Sequence, residues 1–236
     1  MIDYRGLEKR IVDGLHLERC PVAVSFRDAA PSGVPKFAGS MPSGCSFWPL
    51  AMQGRVFYTV PADHYNCAVG SHTHNIPLPA DRAQELPQTL TFMTGLGYLK
   101  MEEVPGIPQL PRTPGVVVYA PLGDTPVDPD VVLVAGRPGR LMLLQEAALR
   151  AGVGARVPFL GRPTCMALPA ALAGGAVAST GCIGNRVYTE LSDDELYVAV
   201  PGKELGRVAE ELATITHANA TLADYHRERR RTLASE

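Results

Sequence analysis

Two hydrophobic rhythms alternate along this chain. Short, nearly unbroken apolar runs at Val22–Phe26, Val116–Ala120, Val131–Ala135 and Glu195–Val200 carry the β-branched content of strands buried on both faces. Arg55–Val60 and Ala176–Thr180 read as shorter strands. Between them lie stretches with helical spacing. Residues 4–16 form a first helix, and Pro138 opens another that places Leu141, Leu144 and Ala148 on one face and ends near Arg150, where Gly152 can cap it. Leu205, Val208, Leu212 and Ile215 mark a last long helix starting near Gly202. Residues 78–93 predict one helix or two, because Pro87 fits only a helix start or a break. Short helices are expected over 45–53 and from Cys165, and the proline-rich stretch 102–115 is a connector. Strands alternating with helices give an α/β or α+β class with a sheet covered by helices.

Length and charge narrow the picture. A chain of 236 residues, 46% apolar and 19% charged, has enough apolar content for an ordinary folded core. A net charge of −2 gives no electrostatic case for nucleic acid, and the basic run His226–Arg231 reads as a solvated helix end. Charged residues near the start replace the apolar core of a secretory leader, and no run reaches the ~18 apolar residues of a spanning helix, so a cytoplasmic protein without a membrane partner is expected. In that compartment five cysteines point to metal binding, catalysis or burial rather than to disulfides. Cys20, beside the first strand, is expected to be a small buried hydrophobe.

The other four cysteines form a repeat. Cys45 to Gly54 and Cys165 to Gly174 both read Cys-x3-Pro-x4-Gly, and each is followed by a second cysteine with a nearby glycine, Cys67 with Gly70 and Cys182 with Gly184. This predicts one pseudo-two-fold-symmetric domain with cysteine-containing halves at approximately 17–110 and 115–218, in which Cys45, Cys67, Cys165 and Cys182 meet. Cys45 and Cys165 stand at expected helix starts, where unpaired N–H groups favour a thiolate. Four thiolates with N–H donors aimed at sulfur is how iron–sulfur clusters are held.

The loop Asp63–His74 adds His64, His72 and His74 within eleven residues. If extended, His72 and His74 point to one side, and imidazoles with a thiolate suit a soft transition metal. The same loop holds the parts of a cysteine nucleophile, Cys67 with His64 or His72 as base and Asp63 or Asn66 as orienter. In the second half, Gly181 and Gly184 permit an inward-turned backbone nest, with Arg186 adding positive charge. The alternative for Arg186 is an ion pair with Asp193 or Asp194.

Pro21–Val24, Cys45 with its helix, Cys67–Gly70, Pro129–Val134, Cys165, Cys182–Arg186 and Asp194–Pro201 together resemble the uncharacterised ArCR family, domain of unknown function 169, over most of the chain. The chain departs from that pattern in carrying His72 and His74. The resemblance implies a fold and a cysteine site, and no reaction. Three functions stay open: an iron–sulfur or soft-metal protein ligated by Cys45, Cys67, Cys165 and Cys182, with His64, His72, His74 and Arg186 around the bound group; a metal-free cysteine enzyme; or a ligand-binding module. Each would serve a small molecule or a redox partner.

Overall fold

A computed structural model describes residues 2–154 and 157–234. In chain order the elements are α1 (Tyr4–Leu15), β1 (Val22–Arg27), α2 (Phe47–Met52), β2 (Phe57–Thr59), α3 (Ala68–Thr73), α4 (Glu85–Gly95), β3 (Val116–Pro121), β4 (Val131–Gly136), α5 (Pro138–Arg150), β5 (Phe159–Leu160), α6 (Ala167–Gly174), β6 (Val177–Ser179), α7 (Ile183–Thr189), β7 (Leu196–Pro201) and α8 (Leu205–Ala234). Short 3-10 turns at Gly44–Ser46 and Thr164–Met166 lead into α2 and α6. The seven strands form one mixed sheet in the order β2-β3-β1-β4-β7-β6-β5, antiparallel except for β5 with β6.

Strand pairings repeat on either side of the sheet centre. The antiparallel pair β1–β4 lies at the centre, with Val22 opposite Leu133. On one side β1 pairs with β3, Val22 facing Pro121; on the other β4 pairs with β7, Val131 facing Pro201. The next pairs repeat as well, with Phe57 facing Tyr119 and Val177 facing Ala199. A backbone hydrogen bond also recurs: Leu122 N–H donates to Pro21 at 2.9 Å and Gly202 N–H donates to Asp130 at 2.8 Å. The helices after Cys45 and Cys165 correspond, as do those after Cys67 and Cys182. β3 pairs with β1 and β2, both earlier in the chain.

The uniform apolarity of the strands follows from helices on both faces. Alternate β4 residues Val132 and Val134 join Leu7, Ile11, Leu141, Leu144, Val208 and Leu212 under α1, α5 and α8. Val131 and Leu133 face the other way, into a cluster with Phe47, Trp48, Leu168, Tyr119 and Tyr197 beneath α2 and α6. Both cysteine helices therefore sit on one face. The tight turn after β7 requires glycine, since a Cβ on Gly202 would lie 1.8 Å from the Pro129 carbonyl oxygen.

Several expected boundaries shift modestly. The cysteine helices begin as 3-10 turns, and 78–93 resolves into a turn at Ala80–Arg82 followed by α4, with Pro87 in its first turn. β5 went unanticipated because two residues carry no periodicity. Among the described residues no helix is long and apolar enough to cross a membrane.

Candidate functional site

Cys45, Cys67, Cys165 and Cys182 all line one cleft of about 300 Å³. Cys45 and Cys165 come from the 3-10 turns before α2 and α6 and are buried. Cys67 and Cys182 precede α3 and α7 as their N-caps and are partly exposed. Two deep and two shallower thiols thus reach the same space. The outer wall is apolar, with Leu90 and Met93 of α4, Leu99, Ile107 and Ile183 among its residues.

Burial governs the thiols. It pushes Cys45 up to about 11, against the opposing hydrogen bond from the Ser43 hydroxyl 3.0 Å away. Cys165 is raised well above its ordinary value by burial, and Cys67 is raised by burial despite the Gly70 N–H that donates to its sulfur at 3.2 Å. The backbone amides of Val69 and Gly44 also favour the Cys67 thiolate. Cys182 is anchored through its own N–H, which donates to the Thr164 hydroxyl beside Cys165. Without a compensating positive centre, the three thiols raised by burial stay protonated at neutral pH.

Around the thiols lie polar groups without partners. Tyr119, fully buried, leaves its hydroxyl unpaired, and Cys45 and Cys165 are close enough for their charges to act on it. Asn185, 1% exposed, lines the cleft near Cys45 and Tyr197, yet neither polar atom of its amide completes a hydrogen bond. Buried donors of this kind are normally satisfied.

The histidines do not meet the thiols. None of His64, His72 and His74 lines the cleft. The expected extended loop is instead helix α3, so His72 and His74 diverge at helical spacing rather than sharing a side. His72 is held outward by Gln109, whose amide donates to the His72 carbonyl at 2.8 Å. His64 and His74 are buried with ring centroids 5.4 Å apart. Thr59 donates to the Val117 carbonyl at 3.3 Å and so accepts from His64 Nε2 at 2.8 Å. His74 Nδ1 donates to the Gly70 carbonyl at 2.9 Å. His64 Nδ1 and His74 Nε2 remain unpaired. Burial lowers both pKa values, His64 furthest, and keeps the rings neutral.

Arg186 lines the vestibule beside Cys182 and Arg162 rather than the thiol cleft itself. Its guanidinium donates to the carbonyls of Thr180, Ser192 and Glu195, while exposed Asp193 stands 3.7 Å away. These bonds commit it to closing the loop around Gly181, whose φ of +79° is left-handed. Cys20 flanks β1 outside the cleft and is partly exposed rather than buried. Among the described residues, no group of three or more His, Cys, Asp or Glu side chains is placed to hold a metal ion.

Sequence reasoning missed Asn185 and Arg162 as cleft residues and Tyr119 as a buried hydroxyl near the thiols. A hydroxyl-bearing Tyr119 inside a strand of valines was a readable signal; Asn185 and Arg162 offered none beyond adjacency to cysteine loops.

No curated protein and no solved structure matches the chain. The profile of the uncharacterised ArCR family, domain of unknown function 169, matches residues 10–211, and the chain belongs to that family.

Proposed function

We propose that this member of the ArCR family uses its four-cysteine cleft as the thiolate site of an iron–sulfur cluster or comparable polynuclear soft-metal group, serving redox chemistry or cofactor handling. The observation carrying this reading is the convergence of Cys45, Cys67, Cys165 and Cys182 on one cleft from four separate elements. A single ion draws its sulfurs to about 2.3 Å from one centre. A cluster interposes its own sulfides, so its cysteines stand further apart. Cys45, Cys67, Cys165 and Cys182 would be the ligands. The Gly70 N–H already points at one sulfur, and the unpaired Tyr119 hydroxyl and Asn185 amide supply donors to an anionic, sulfur-rich occupant. When bound, such a group supplies one-electron transfer.

Anaerobic purification, visible spectroscopy and assay of iron and acid-labile sulfide test the proposal. The expected result is a coloured protein whose metal content falls in each of Cys45→Ser, Cys67→Ser, Cys165→Ser and Cys182→Ser. A colourless protein that takes up no metal on anaerobic reconstitution overturns it. A second reading, a metal-free cleft for a small molecule, is favoured by the apolar outer wall and by thiols that burial holds protonated. Cysteine catalysis has less support, because Asn66 lines the cleft with Cys67 but neither His64 nor His72, the residues offered as base, does.

A further inference from the structure

The mouth of the cleft has a chemistry that the thiols do not use. Among its described lining residues Arg162 is the only charged side chain. Its guanidinium lies over the Tyr98 ring, 4.2 Å from the centroid, and stacking of this kind fixes the plane of the cation while leaving its edge free. No carboxylate among the described residues pairs with it. Glu103 borders the same outer vestibule, but its carboxylate accepts from the Lys100 N–H at 2.7 Å. The same cleft has an apolar wall. Thr89, Leu90 and Met93 present one face of α4, and Leu99, Ile107 and Ile183 continue it. α4 contains no buried residue, so the face turned to the cleft has no core to cover.

A concave, mostly apolar space of about 300 Å³ with a few placed polar groups and one fixed charge is the usual form of a small-molecule site. We infer that the outer cleft binds a small organic monocarboxylate, with its carboxylate on the free edge of Arg162 and its aliphatic or aromatic body against α4, Ile107 and Ile183. A single planar guanidinium matches a carboxylate in charge and in bidentate geometry, whereas a phosphate dianion would be left half neutralised in apolar surroundings. This goes beyond the thiolate reading and holds whether or not a metal is bound.

The test uses the full chain as purified, with phenylacetate and hexanoate as probes and phenylacetamide and hexanamide as their uncharged counterparts. Titration calorimetry gives affinity, and methyl NMR of Ile107 and Ile183 reports location. The carboxylates are expected to shift both isoleucines and to bind at least about tenfold more tightly than the amides, an advantage that Arg162→Met removes and Arg162→Lys partly retains. Arg162 is exposed, so both variants should melt with the wild type; Arg162→Gln serves if the methionine variant does not. Equal affinity for acid and amide, full affinity in Arg162→Met, or no binding by either carboxylate overturns the inference. Metal content is assayed on the same preparations, so loss of the carboxylate result with metal retained strikes this inference alone.

Discussion

The backbone N–H of Cys182 donates to the hydroxyl of Thr164, tying the start of α7 to the turn that carries Cys165. Thr164 is 1% exposed. Thr164→Val keeps the shape and removes the acceptor, so it should destabilise the fold by about 1–3 kcal/mol and speed alkylation of Cys182, while Thr164→Ser should restore both. Denaturant unfolding and site-resolved alkylation measure the two effects. Unchanged stability in the valine variant would show that the bond contributes nothing.

Tyr119 is expected to separate folding from ligation. Its hydroxyl is buried and unpaired, so Tyr119→Phe should leave stability unchanged or raise it by about 1 kcal/mol. The same variant should lose bound metal faster to a chelator, since the hydroxyl is a donor for the occupied site. A variant that is destabilised and holds metal normally would contradict this role.

The His64–His74 pair makes stability depend on pH. Both folded pKa values lie below the ordinary value near 6.5 because burial disfavours the charged ring. The unfolded chain takes up protons below about pH 6.5 while the folded one does not, so this contribution is complete above that value and is lost as pH falls, by up to about 1.4 kcal/mol per pH unit for each ring. Urea midpoints should be flat from about pH 8 to 7 and decline towards pH 5, with a shallower slope in His74→Phe. An equal slope in that variant would remove His74 from the account.

Gly202 should tolerate no side chain. A Cβ there would overlap the Pro129 carbonyl oxygen, so Gly202→Ala must shift the turn that carries the repeated Gly202–Asp130 hydrogen bond. A loss of about 1–3 kcal/mol is expected from such overpacking, read as a lower melting temperature. An unchanged melting temperature would mean that the turn yields freely.

Cys20 lies outside the cleft, and Cys20→Val should leave metal content unchanged. Loss of metal on that single change would reassign the odd cysteine.

The sequence by itself determined the strands, the long helices and the doubled cysteine pattern. Each of these is written in local spacing: apolar runs such as Val131–Ala135 need covering on both faces wherever they lie, and Cys45 and Cys165 carry the same Pro and Gly offsets. Only the tertiary structure decided which groups share the cleft. The sequence around His64, His72 and His74 has the same composition whether the segment is extended or helical; it folds as the turn Pro61–His64 followed by helix α3, and none of the three rings lines the cleft. Asn185 and Arg162 entered the cleft, and Tyr119 came to lie near Cys45 and Cys165, through sheet order and tertiary packing, which bring residues far apart in the chain to one place. Hydrophobic periodicity encodes which face of an element is buried, while the partner met on that face is set by the whole topology.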